Sequence, residues 1–216
     1  MTSLSDRVAD REARAGGFVA RIMRSLGKHW LLLANVVMLL YIGLPLLAPL
    51  LAHAGEAQWA GRIHTLFSPL CHQLPERSFF LYGPQSTYSR DELLTLVGDP
   101  LSLRYAGSAV AGYKMAICQR CAAIYSAWLL LGVLFAFMRS HIRPLRPRSF
   151  ALLLIPIAVD GVGQLVGAWT STWQSRIATG ALFAVAIVWL TYPYLEQGMR
   201  EMVEDAERSI GIRNAP

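Results

Sequence analysis

The chain has 216 residues, 54% of them hydrophobic and only 16% charged, with a mean hydropathy of +0.38. That is too apolar for an ordinary soluble domain and points to a membrane protein. The net charge is +6, but the basic residues flank apolar segments and lack the aromatic interleaving that single strands require, so no nucleic-acid partner is expected.

Residues 1–29 carry Arg7, Arg11, Arg14, Arg21, Arg24 and Lys28, with Phe18, Val19, Ile22, Met23 and Leu26 at helical spacing. This predicts a basic amphipathic segment on the inner membrane surface, or a plain positive topology signal. Residues 30–51 then form the first of four segments near the ~20 residues that a spanning helix needs. Ala52-His53-Ala54 resembles a cleavage site, but the apolar run starts late and exceeds the ~7–15 residues of a signal peptide, so an uncleaved anchor is expected.

The loop 52–120 has its own structure. Trp59, Ile63, Phe67 and Leu70 make an apolar stripe that predicts a helix over 55–67. Ser89-Arg90-Asp91-Glu92 reads as a capping box opening a short helix that stops at Gly98-Asp99-Pro100. A compact cap is expected, with the cysteine-bearing ends of the loop at its base. The remaining spans are 121–138, 150–169 and 177–195, followed by a charged helical tail, 196–216. The fold class is therefore an all-α integral membrane protein of four transmembrane helices with a small extracytoplasmic cap.

Orientation follows from the arginines. The loop 139–149 carries Arg139, Arg143, Arg146 and Arg148, whereas 170–175 carries no Lys or Arg. This places both termini in the cytoplasm and the cap outside, in a bacterial inner membrane. Trp169 and Trp173 at the outer turn, and Trp30, Tyr192 and Tyr194 at the inner ends, read as aromatic belts.

All three cysteines lie at the ends of the long loop: Cys71, then Cys118 and Cys121 as a C-x-x-C pair where the second span begins. Thiolate and imidazole are the preferred ligands of zinc, so Cys71, His72, Cys118 and Cys121 form a candidate zinc site, with His64 or water competing for the fourth position. A disulfide or redox dithiol, and three inert buried thiols, are the other readings. Gln73, Arg77 and Arg120 flank the cysteines and add polar or positive character. Asp160 lies in the third span, where a carboxylate must face the bundle interior or a wet cavity. Gln164 shares its face, and Arg176, followed by Thr179 and Gly180, can reach toward Asp160 or up to a lipid phosphate. Asp160, Gln164 and Arg176 are thus the candidates for an acid or ligand site. Gly163 and Gly167 form a small-xxx-small pair suited to a helix contact, including one between two copies.

Cys71-His72-Gln73, Arg77-Ser78-Phe79, Gly83, Cys118-x-Arg120-Cys121 with Ile124-Tyr125, Asp160-Gly161 with Gln164, and Arg176 with Thr179-Gly180 resemble the membrane proteins grouped as domain of unknown function 2085. The resemblance covers about residues 60–190. It implies a multi-spanning fold with a Cys/His site, and no established activity.

Three functions are compatible with these residues. The first is a zinc-type site above a polar intramembrane pocket for an amphiphilic or lipid-like ligand. The second is a thiol oxidoreductase coupled to quinone, since the C-x-x-C at a helix mouth resembles the membrane enzymes related to vitamin K epoxide reductase; no second cysteine pair is present to relay electrons. The third is a non-enzymatic assembly subunit. The absence of G-x-x-x-x-G-K-[ST], G-x-S-x-G and H-E-x-x-H removes several common enzyme classes.

Overall fold

The computed structural model describes residues 4–98, 105–139 and 141–211. Asp99 and Pro100, expected to end the short helix, lie outside the described residues, as do the side chains of Arg7 and Arg11. In chain order the elements are α1 (Leu4–His53), α2 (Ala57–Phe67), a single 3-10 turn (Pro75–Arg77), β1 (Ser78–Leu81), α3 (Arg90–Val97), β2 (Gly107–Ser108), β3 (Gly112–Cys118), α4 (Gln119–Met138), α5 (Pro147–Leu165) and α6 (Trp173–Ser209). Four of the helices, α1, α4, α5 and α6, are long and apolar enough to cross a membrane. The chain is a polytopic membrane protein. Leucines such as Leu32, Leu130 and Leu152 lie open on the bundle surface, as lipid contact requires.

Helix α6 is the central member. It packs on α1, α4 and α5, whereas α4 and α5 meet each other only weakly. The two therefore splay over α6 and leave a groove along the bundle. At the end that holds both termini, Trp30, Leu31, Phe135, Val188 and Tyr192 close the core. Trp30 Nε1 donates to Glu196 at 3.0 Å, and Trp128 Nε1 donates to the Tyr192 hydroxyl at 2.9 Å. Two of the aromatics expected in an interfacial belt, Trp30 and Tyr192, are thus core residues, because each finds a polar partner inside.

Helix α1 has 50 residues, about 75 Å at 1.5 Å per residue, against a hydrocarbon core of about 30 Å. It runs unbroken through position 29, where a separate surface segment was expected to end. Instead of forming a separate segment, residues 24–28 of α1 pair with the last turns of α6. Arg24 and Lys28 both reach Glu207 at 2.9 Å. A Cβ on Gly27 would come within 2.6 Å of Val203, so the two helices touch there. The Phe18, Ile22 and Leu26 stripe stays exposed.

The cap contains a sheet that the sequence reading did not anticipate. Its strand order is β1-β3-β2, all antiparallel. β3 (Gly-Tyr-Lys-Met-Ala-Ile-Cys) is buried on both faces, so it has no polar alternation by which to read it as a strand. Helix α2 falls close to the expected 55–67, and Ser89 and Glu92 form the expected capping box. Phe80, Tyr88, Leu93 and Ala111 make the cap's own small core.

Candidate metal centre

Cys118 is the last residue of β3 and the N-cap of α4, with extended φ −76 and ψ 162. Cys121 follows in the first turn of α4. Cys71 follows α2, where its N–H closes the helix end by donating to Phe67 O at 3.0 Å. Antiparallel pairing then sets Ser78 opposite Cys118 and carries the Cys71 loop onto the start of α4. The backbone N–H of Cys118 donates to Cys71 Sγ at 3.2 Å. The three sulfurs lie within 4.8 Å of one another, with Cys71 and Cys118 buried and Cys121 half-buried. A tetrahedral ion with bonds of about 2.3 Å separates two sulfurs by about 3.8 Å, so small shifts would close this set onto one ion. Hydrogen bonds from the Cys118 and Cys121 thiols, against the opposing effect of burial, hold Cys71 far below the ordinary thiol range.

A buried polar network fixes the loop that carries Cys71. Gln73 is 2% exposed and has a left-handed backbone, φ 50. Its side chain meets His64 twice: Oε1 with Nδ1, and Nε2 donating to the backbone carbonyl, both at 2.8 Å. Its own carbonyl accepts from Lys114 Nζ at 2.6 Å. Lys114 has no exposed surface, and burial pushes its ammonium down to about 8. His64, expected as a competing ligand, is engaged by Gln73 and lies outside the thiol group. His72 also lies outside it: its Nδ1 accepts from Leu74 N–H at 3.2 Å. Among the described residues the ligand cluster is the three cysteines alone.

Beside the sulfurs is a cavity of about 270 Å³. Its walls include Cys71, His72, Arg77, Cys118, Arg120 and Cys121 from the cap end, with Gln164 from α5 and Arg176 from α6. Seven widely spaced sequence candidates, and His72, thus converge on one space. Arg176 does not pair with Asp160. Its Nη1 donates to Gln119 Oε1 at 3.0 Å, and Gln119 Nε2 donates to Ser78 O at 3.1 Å, which ties α6 to the base of the sheet. Asp160 is instead taken by Arg120, which reaches across from the first turn of α4. Its Oδ2 accepts from Arg120 and, at 3.2 Å, from Gln164; its Oδ1 accepts from the Ser171 hydroxyl and, at 3.5 Å, from Trp169 Nε1. Asp160 lies behind the cavity wall and orients Arg120, which is part of it. Thr179 donates to Ser175 O at 2.8 Å within its own helix and does not line the cavity.

The two glycines expected at a helix contact have other work. A Cβ on Gly163 would enter the Trp169 ring, and Gly167 (φ +72) has already left the helix. Gly167 N–H donates to Gln164 O at 3.3 Å and Ala168 N–H to Gly163 O at 2.8 Å, a glycine-type helix stop. Near this site the close approach between helices falls at Gly180, whose Cβ would meet Arg120 O at 2.9 Å. The sequence reading missed Lys114, Gln119 and Ser171. Gln119 carried a signal, since it sits inside the C-x-x-C. Lys114, alone in an apolar run, carried one too. Ser171 carried none.

No solved structure matches the chain. An uncharacterised protein of Methanocaldococcus jannaschii is 27% identical over 173 residues, covering 77% of this chain and 92% of the relative. A family described as "Predicted membrane protein (DUF2085)" matches residues 108–190. That stretch holds Cys118, Cys121, Asp160, Gln164 and Arg176 and leaves Cys71-His72-Gln73 outside. The family that the motifs resemble is thus the one whose model matches, over β3, α4, α5 and most of the apolar part of α6.

Proposed function

We propose that the protein holds a zinc-type ion on Cys71, Cys118 and Cys121, and that ion and arginines together bind the anionic headgroup of an amphiphile in the adjoining cavity. The observation that carries this reading is that the only three thiols meet at the wall of a cavity also lined by Arg77, Arg120 and Arg176. Three thiolates leave one position of a tetrahedral ion for a ligand, water or His72, whose Nε2 is not used by its own loop. Arg120 Nε is buried with no partner among the described residues, a donor that an anionic group would satisfy. In orientation, the cap faces outward from the inner membrane and both termini lie in the cytoplasm. Support comes from the arginine asymmetry between 139–149 and 170–175.

The test is metal content and free-thiol count on the detergent-purified full chain. About one zinc per chain is expected. Cys71→Ser or Cys118→Ser should lose it and lower the melting temperature, because forming such a site is coupled to folding. A short-chain phosphatidic acid should raise the melting temperature of the zinc-loaded protein, and Arg77→Gln should abolish that rise. A metal-free protein with a Cys118–Cys121 disulfide overturns the reading and favours the quinone-coupled oxidoreductase.

A further inference from the structure

The groove left by the splay of α4 and α5 has a second opening, at the end opposite the cap. There a cavity of about 730 Å³ is lined by Leu131, Leu134 and Phe135 of α4, Val185, Val188 and Trp189 of α6, and the α4–α5 loop. Its volume lies within the ~300–1,000 Å³ of preformed ligand sites. The floor is apolar and the rim is not. Arg143 and Arg146 lie on the rim, and the loop 139–149 holds four arginines and no acidic residue. Neither Arg143 nor Arg146 enters an ion pair among the described residues. Ser149, in the first turn of α5, lines the same rim.

The loop is held over the groove by a defect in α6. Pro193 has no N–H, so the carbonyl of Trp189, one turn earlier, has no partner within the helix. Leu145 N–H takes that carbonyl at 3.3 Å, and Trp189 Nε1 donates back to Arg143 O at 3.2 Å. The two bonds fix the backbone that carries the arginines at the edge of the apolar floor.

We infer that this groove is a binding site for one anionic phospholipid, its chain on the α4–α6 floor and its phosphate between Arg143 and Arg146. An apolar cleft beneath a basic rim at the end of a membrane bundle matches both parts of such a molecule, and basic pockets between spanning helices favour anionic headgroups. A zwitterionic lipid fits the floor equally well but gains less at the rim. The inference rests on neither the cysteines nor the cavity at the cap end.

Native mass spectrometry of the full chain in mild detergent tests it, with phosphatidylglycerol or phosphatidylcholine added. Phosphatidylglycerol adducts should survive detergent concentrations that strip phosphatidylcholine. Arg143→Ala with Arg146→Ala should weaken phosphatidylglycerol retention roughly ten- to thirtyfold and leave phosphatidylcholine unchanged. Both arginines are exposed, so this variant keeps the fold, which its melting curve checks. Leu134→Trp, filling the groove, should exclude both lipids; should it fail to fold, the arginine variant decides alone. Equal retention of the two lipids by the unaltered protein overturns the inference. So does undiminished phosphatidylglycerol binding in the arginine variant, or displacement of the lipid by equimolar inorganic phosphate, which lacks a chain for the floor.

Discussion

Asp160→Asn is a sharp probe of the bundle because it changes charge and hydrogen bonding with almost no change in shape. Both carboxylate oxygens of Asp160 only accept: Oδ2 from Arg120 and Gln164, Oδ1 from Ser171 and Trp169. An amide has one acceptor and one donor. Turned one way, its NH2 opposes the Arg120 guanidinium; turned the other way, it can donate to the Ser171 hydroxyl, which reverses its role, but it opposes the Trp169 N–H, which only donates. Even the better rotamer leaves Arg120 facing a neutral oxygen in place of a carboxylate. Breaking a buried ion pair by removing one partner costs about 3–5 kcal/mol. The Arg120 side chain is 22% exposed and can withdraw into the cavity, which brings the expectation down to about 2–4 kcal/mol. For a chain of this size that is a fall of about 4–16 °C in melting temperature. The assay is thermal unfolding in mild detergent, run as a cycle with Arg120→Gln and the double variant. A coupling above about 1 kcal/mol between the two sites is expected. A fully stable Asp160→Asn protein, or strictly additive single variants, would refute the reasoning that Arg120 rather than Arg176 balances the buried acid.

Gln73→Ala should cost about 1–3 kcal/mol, because it loses both contacts with His64 and keeps a Cβ at φ 50. Gln73→Gly should melt higher than Gln73→Ala, since glycine relieves the left-handed backbone; the reverse order of melting temperatures would show that the loop is not strained there. Gly163→Ala should destabilise by about 1–3 kcal/mol through collision with the Trp169 ring, with no change in oligomer mass by light scattering; a change in mass without loss of stability would restore a helix contact between copies. For topology, a periplasmic reporter fused after Gly98 should be active and one fused after Arg146 inactive, and the opposite pattern inverts the orientation.

The four spans were legible because a membrane forces some twenty apolar residues into one helix, and Trp30–Leu51 or Ile177–Leu195 can hardly be read otherwise. The thiol cluster was legible because C-x-x-C fixes two sulfurs by local geometry alone. The lateral register of α4 against α5 was not. Hydropathy says nothing about rotation, so the sequence pointed to Arg176 as the partner of Asp160 and left Arg120 with the cysteines, whereas the packing of the helices gives Asp160 to Arg120. Strand β3 was hidden for a related reason: a strand buried on both faces loses the alternation that reveals strands. The same burial explains Lys114, whose partner is a backbone carbonyl that no charge pattern could disclose. Among the described residues the Gly163/Gly167 pair meets no other helix of the chain, because the spacing presumes a helix that continues, and α5 stops at Leu165.

The passage of β3 directly into α4 has a consequence for the order of assembly. Two of the thiols, Cys118 and Cys121, are brought together by the first turn of a single helix and need nothing else to meet. The third must arrive from Cys71, 47 positions before Cys118. Closing a loop of that length costs about 3 kcal/mol beyond the constant term, whereas the pair forms as soon as α4 does. The nascent chain therefore presents a half-built claw when its second span is in place, and the fold of the cap completes it. Opening runs the same path backwards. Residues 68–77 can part from the start of α4 while the four spans stay packed, because what holds them is local: the packing of Cys71 with Phe67, Met115 and Ile117, the bond from Cys118 N–H to the Cys71 sulfur, and the Gln73 network. Amide exchange should then be fast at 68–77 and slow along α4, a boundary that falls between residues whose sulfurs lie within 4.8 Å.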